Sequence, residues 1–280
     1  MNSSQLESRS SVDNKFIEAV AHTSDIIRIL FESLNVIFSE ITLTFTKDGV
    51  YLFSTNEQKI LTVHLILDHF ERYFCKELFN ASMNCLYFYK MIKTCTQDDV
   101  ITFIIETPQA TELIVKCENH KNKYISYFKI NLLDIDYVQP QNTMVPKIEF
   151  DVEVTIPSKQ FQKICKNMFH LSDTLQIETT KQQITFSCVG DYASQKTVFT
   201  QDTDSKMNMC HSKDNIGGHK IISGQYDLSY LMLFNKCANM SPLMTLFLKN
   251  DLPLIVRYGV STLGYIYFYV MPKIVKDTID

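Results

Sequence analysis

The residues of this chain best equipped for covalent chemistry are the paired carboxylates Asp98 and Asp99, with Glu106 shortly after them. Clustered acids of this kind can hold divalent ions against a phosphodiester, as a metal-dependent nuclease requires. Acids beside a strand start are also ordinary turn residues, and that reading is favoured here. His64 and His69 flank an apolar run without a third metal ligand, and Gly217-Gly218 marks a flexible link rather than a phosphate-binding loop. The eight cysteines, Cys75, Cys85, Cys95, Cys117, Cys165, Cys188, Cys210 and Cys237, include no Cys-x-x-Cys pair. They are expected to remain thiols in a reducing compartment. No catalytic constellation emerges, so the expectation is a protein that is not an enzyme, with no cofactor and no structural metal.

Binding chemistry is better represented. Laid out at about 100° per residue, Ser158 to His170 puts Phe161, Ile164, Cys165 and Met168 on one side and Lys159, Lys163 and Lys166 on the other. Met83 to Thr96 sets Phe88, Met91, Ile92 and Cys95 against Lys90 and Lys93 in the same way. Two further helical stretches, Asp25 to Phe38 and Tyr226 to Asn239, offer Arg28 and Lys236. A lysine face is by default the solvated side of a helix. Segregation argues for more: the windows 24–38, 83–96, 158–170 and 226–239 hold seven basic residues against three acidic, while the rest of the chain holds twenty against twenty-eight. A formal charge of −4 argues against a generic basic nucleic-acid binder. A wall built from these four helices would nevertheless attract phosphate backbone and ignore base sequence.

The elements that must carry these lysines occur twice. A helical pattern with Ile27, Leu30, Phe31 and Leu34 precedes a hairpin, Ile41 to Phe45 and Val50 to Phe53, turned by Lys47-Asp48-Gly49. After Pro157 the α-period returns and is followed by Leu175 to Glu178 and Ile184 to Ser187. Each half then has a second helix and further strands: Val100 to Ile105 and Glu112 to Val115 in the first, Leu243 to Leu248 and the closing strands in the second. With 280 residues, 45% of them hydrophobic, two domains can each bury a core. The spacing predicts a tail over 1–14, Ser-rich and without the apolar core of a signal peptide, a first domain over 15–133, a linker over 134–150, a second domain over 151–275 and a short tail over 276–280. No window reaches the roughly 18 unbroken apolar residues of a membrane span.

The end of the chain adds a resemblance. Asp251-Leu252-Pro253-Leu254-Ile255-Val256-Arg257-Tyr258 and Gly264-Tyr265-Ile266-Tyr267-Phe268-Tyr269-Val270-Met271-Pro272-Lys273-Ile274 resemble the C-terminus of the proliferating cell nuclear antigen family, the eukaryotic-type DNA sliding clamps. Pro157-Ser158 with Phe161 and Lys163-Ile164-Cys165-Lys166, Leu133-Asp134-Ile135-Asp136, Asp99-Val100-Ile101-Thr102, and Lys236 followed by Ser241-Pro242-Leu243 extend the likeness to about Asp25 to Ile274. The resemblance implies an α+β clamp fold, with two similar domains that each set two helices on one face of antiparallel sheets. It also implies a closed homotrimer of six such domains around duplex DNA. The activity implied is that of a DNA polymerase processivity factor in replication and repair, opened by an ATP-driven clamp loader and tethering partners that carry short peptide motifs.

On that likeness Arg28, Lys90, Lys93, Lys163, Lys166 and Lys236 match channel-lining cations, and helical geometry adds Lys159. A groove for partner peptides is implied at Ile60, Met144, Val145, Pro146, Pro253, Tyr269, Met271, Pro272, Lys273 and Ile274. Edge strands should join subunits, with Ile125, Tyr127 and Phe128 on one and Thr197 and Phe199 on the other. Lys181 falls where the family carries a modified lysine, although Gln182-Gln183 replaces the usual Asp-Gly. Ile29 and Asn35 stand where lysines are frequent, which thins the cationic face of the first helix. A heteromeric checkpoint-type subunit and a monomeric DNA-binding processivity subunit remain as alternatives. The resemblance implies no membrane partner and a nuclear site of action, or a cytoplasmic replication site if the chain is viral; its Ile-, Lys- and Asn-rich usage hints at an AT-rich genome.

Overall fold

The computed structural model describes residues 15–135, 149–201, 207–212 and 221–273. The expected N-terminal tail, most of the linker and the C-terminal tail lie outside them. In chain order the first half contains β1 (Ile17–Ala21), α1 (Ser24–Ile37), β2 (Glu40–Thr46), β3 (Gly49–Thr55), β4 (Leu61–Leu67), β5 (Arg72–Cys75), β6 (Phe79–Asn84), α2 (Cys85–Ile92), β7 (Asp99–Ile105), β8 (Glu112–Asn119) and β9 (Tyr124–Asn131). The second contains β10 (Val152–Pro157), α3 (Ser158–Phe169), β11 (Thr174–Thr179), β12 (Gln183–Val189), β13 (Ser194–Thr200), β14 (Asn208–His211), β15 (Ile222–Asp227), α4 (Leu228–Leu233), a 3-10 turn (Asn235–Asn239), β16 (Leu243–Leu248), β17 (Leu254–Gly259) and β18 (Gly264–Val270).

These elements form two compact units. The first comprises 15–52, 66–135 and 262–264; the second comprises 53–65, the described residues of 149–261, and 265–273. In the first unit the strands run β5-β1-β7-β8-β9 in one sheet, and β6-β2-β3 pair side by side in another, with antiparallel neighbours in both. Alternation sets the faces. Leu113, Val115 and Cys117 of β8 turn inward, and α1 and α2 close over that side through Phe31 and Phe88, whose rings meet edge-on at 4.5 Å. Phe88 also approaches Phe103 of β7 at 6.2 Å.

The second unit repeats the scheme. Its sheets run β13-β12-β11-β15 and β14-β10-β16-β17-β18-β4. Phe161 of α3 packs on Phe186 of β12 at 5.8 Å, and Phe234 stacks on Phe268 of β18 at 4.1 Å. Each of these four rings is almost wholly buried.

Three expectations need correction. Met83 belongs to β6, and α2 starts only at Cys85, where the Asn84 side chain accepts the Tyr87 N–H at 3.1 Å and caps the first turn. Lys93 is therefore the C-terminal cap of α2 rather than an interior residue. The helix expected over Tyr226 to Asn239 is split: Tyr226 belongs to β15, α4 covers only Leu228–Leu233, and the 3-10 turn follows. Just past the break, α3 holds the 3-10 turn: the Gln162 side-chain amide donates to the Asn235 carbonyl at 2.7 Å.

Gly264, part of the closing motif, has a physical role. Its φ is +150°, and a Cβ there would stand 2.1 Å from the Ile66 carbonyl oxygen. Gly264→Ala is expected to cost about 2–3 kcal/mol of folding stability, to be read as a lowered midpoint in chemical denaturation; an unchanged midpoint would refute this account of the glycine.

Candidate nucleic-acid interface

In the first unit α1 buries Ile27, Leu30, Phe31 and Leu34 and leaves Arg28 exposed. On α2 the buried side is Cys85, Phe88 and Ile92, while Lys90 and Lys93 are exposed. In the second unit α3 buries Phe161, Ile164, Cys165 and Met168 and exposes Lys159, Lys163 and Lys166. Lys236 is exposed on the 3-10 turn, and Lys159 Nζ donates to the Asn239 side chain on that same turn. The sheet-facing side of each α-helix is thus fixed by packing, and its cations have only one direction left.

Arg28, Lys90, Lys93, Lys163 and Lys166 form no ion pair among the described residues, whereas cations on the sheets usually do. Lys15 and Arg72 meet Glu18, Lys116 meets Glu118, Lys129 meets Glu112 at 2.9 Å and Arg257 meets Glu153 at 3.6 Å. Turn lysines such as Lys47 and Lys181 form no ion pair among the described residues either, but they do not share a helix face. An unpaired lysine row holds its full charge for an external anion.

The edges of the sheets are open. β9 ends the five-stranded order and β13 the four-stranded one, so each leaves one row of backbone groups without a strand partner among the described residues. On β9 Ile125 and Tyr127 face outward, 49% and 64% exposed, whereas Phe128 lies opposite buried Val115 and turns inward. On β13 Thr197 is half-buried, and Phe199 packs on Phe186 at 5.9 Å, so Val198 is the outward side chain.

Of the groove positions, Ile60 and Met271 are brought together: Met271 N–H donates to the Ile60 carbonyl at 3.0 Å. Pro253, Tyr269 and Pro272 are half-buried and Met271 is exposed. Lys273 is occupied, with Nζ 2.7 Å from Thr174 Oγ1, 3.3 Å from Asp173 and 3.7 Å from Asp227. Met144, Val145, Pro146 and Ile274 lie outside the described residues. The Tyr269 hydroxyl is buried without a hydrogen-bond partner among the described residues, and burial pushes its pKa up.

The acids weighed for a nuclease do not gather. Asp99 is buried and caps the turn before β7, accepting from Thr96 N at 2.7 Å, Asn119 Nδ2 at 2.6 Å and Tyr124 Oη at 3.2 Å. Burial alone would raise its pKa, but these hydrogen bonds, with one from the Thr96 hydroxyl, outweigh it and hold the carboxyl below its ordinary range. Asp98 is exposed and meets Lys121 at 3.7 Å, while Glu106 follows the opposite end of β7. No group of three or more His, Cys, Asp or Glu among the described residues is placed to hold a metal. His69 pairs with Asp68 at 2.6 Å on the surface.

Comparison with known proteins gives the family. The model of the N-terminal domain of proliferating cell nuclear antigen matches residues 16–140, and that of the C-terminal domain matches residues 144–273. The chain belongs to the proliferating cell nuclear antigen family. It is also 29% identical over 268 residues, 93% of this chain and 98% of the relative, to "Probable DNA polymerase sliding clamp 1" of Paramecium bursaria Chlorella virus 1. Two proliferating cell nuclear antigen domains in tandem account for the repeated helix-on-sheet units and give the chain its α+β clamp fold. Lys181, exposed in the turn between β11 and β12, has its carbonyl 3.0 Å from His211 Nε2.

One residue escaped the sequence reading. Tyr87 is an exposed aromatic within the lysine face of α2, visible beforehand only as an i, i+3 neighbour of Lys90. His64, weighed as a metal ligand, is instead buried beside Phe53 and Tyr267, with Nε2 unpartnered among the described residues. Burial pulls its pKa down to about 4, so it is neutral in the fold and must take up a proton on unfolding below about pH 6.5. Its contribution is complete above that value and is lost as pH falls through about 4. His64→Leu should therefore flatten the fall in stability between these limits in urea titrations, an effect on the order of 3 kcal/mol at most; an undiminished slope would exclude His64 as its source.

Proposed function

We propose that this chain is a DNA sliding clamp, a processivity factor that holds a DNA polymerase at the replicating end. Membership of the proliferating cell nuclear antigen family carries the reading. The unpaired cations on the helices of both units supply its physical side: they suit a polyanion, and surface lysines alone read no base edge. Touching only a few phosphates at a time leaves a protein free to slide, and a tethered polymerase stays at high effective concentration without chemistry by the clamp. We further propose that the chain closes as a homotrimer by pairing β9 of one copy with β13 of the next. In this assembly an ATP-driven loader opens the ring, and peptide-motif replication and repair partners dock near Ile60, Pro253, Tyr269 and Met271. The site of action is wherever the genome it serves is replicated, nuclear or in a cytoplasmic viral factory.

Charge removal tests the DNA face. The Lys163→Ala, Lys166→Ala double variant should weaken duplex binding and lower the slope of log affinity against log salt by about 0.9 for each phosphate no longer neutralised. Unchanged affinity and slope would remove α3 from the interface.

Mass tests the ring. Light scattering should give three times the 32.5 kDa of one chain for the unaltered protein, and one chain for Tyr127→Ala combined with Val198→Asp. A trimer that survives the double change would exclude the β9–β13 pairing, and a parent protein that is monomeric would favour the subunit alternatives.

A further inference from the structure

The core does not require Tyr87. The buried side of α2 is filled by Cys85, Phe88 and Ile92, and Tyr87 projects away from it, 63% exposed beside Leu86 at 42%. Tyr87 and Leu86 together put two large side chains in water on one short helix. The nearest observation is electrostatic: the Lys90 ammonium sits 5.2 Å from the centroid of the Tyr87 ring. Lys90 has no carboxylate partner among the described residues, so the ring is the group that fixes where its charge is held. The root of that ring is fixed in turn, because the Tyr87 N–H is capped by Asn84. Lys93 continues the face at the end of the helix.

We infer that Tyr87 is a DNA-contacting and positioning residue: its ring holds the Lys90 ammonium in place and lies against the sugar–phosphate backbone of duplex DNA. This rests on the clamp reading above and adds to it a mode of contact that charge alone does not provide. A free lysine is a mobile point charge on a flexible stem, and ordering it against a phosphate costs side-chain entropy. An ammonium already held over an aromatic face has given up part of that freedom before DNA arrives. The two unpaired lysines on the face favour a polyanion over an apolar protein partner. Because the ring is uncharged, it releases no counterions. Deleting it should lower affinity at every salt concentration with little change of slope, whereas deleting Lys90 should change the slope.

The chain contains no tryptophan, so Tyr87→Trp places the sole indole of the protein on this face. Titration of that variant with a short duplex at low salt should shift or quench the emission, and added salt should reverse the change. In the full chain Tyr87→Ala should weaken duplex binding about two- to fivefold at an unchanged salt slope. Tyr87→Phe, which keeps the ring, should bind as the parent does, and exposure of the site should leave thermal unfolding of both variants unaltered. An indole that ignores DNA which anisotropy shows to be bound overturns the inference while the clamp reading stands. So does Tyr87→Phe falling as far as Tyr87→Ala. If the unaltered protein binds no duplex at any salt concentration, the clamp reading fails and this inference with it.

Discussion

Aromatic packing between the helices and the sheet beneath them is the constraint on which the rest depends. Phe31, Phe88 and Phe103 lock the first helix pair to its sheet, and Phe161 against Phe186, with Phe234 on Phe268, does so in the second unit. Each ring removes a large apolar area from water and fixes the roll of its helix. Once the roll is fixed, residues on the far side have no freedom of direction. That is why Lys90, Lys163 and Lys166 project outward, and why charge accumulates on a face without a local carboxylate to neutralise it.

Polar interactions then refine what packing has set. The hydrogen bond from Gln162 to the Asn235 carbonyl ties α3 to the 3-10 turn after α4, which carries Lys236 and lets Asn239 reach Lys159. Asp99 gathers Thr96, Asn119 and Tyr124 around one buried carboxylate and so ties the turn after α2 to β8 and β9. Removing that carboxylate would leave several donors without their acceptor. One acid of a pair that resembles catalytic equipment on paper is thereby a joint in the scaffold.

Much of this was legible in the sequence. The 3.6-residue period of α1 and α3 fixes their buried faces outright, because Phe161, Ile164, Cys165 and Met168 allow only one orientation. The hairpins β2–β3 and β11–β12 follow from period-2 alternation and their turn residues. What period alone does not carry is competition from distant atoms. The 3-10 turn after α4 is held by Gln162, far upstream in the chain, and Met83 joins β6 because its strand pairs with β2. The short strands β1, β5 and β14 lack enough alternation to stand out from their surroundings. At the sites, outward lysines could be read from helical angles. Inward rotation of Phe128 and Phe199, and the engagement of Lys273 by two aspartates, needed the strand register and the tertiary packing.

The thiols of this chain are unevenly placed: seven of the eight are buried, and only Cys210, on the short strand β14, faces solvent. Thiolate reagents act on what they can reach, so a maleimide dye under native conditions would find a single attachment point per copy without any prior mutagenesis. That point lies on a sheet strand, not on a lysine-bearing helix. A fluorophore fixed there would report on the movement of individual molecules while the lysine-bearing helices keep their native side chains.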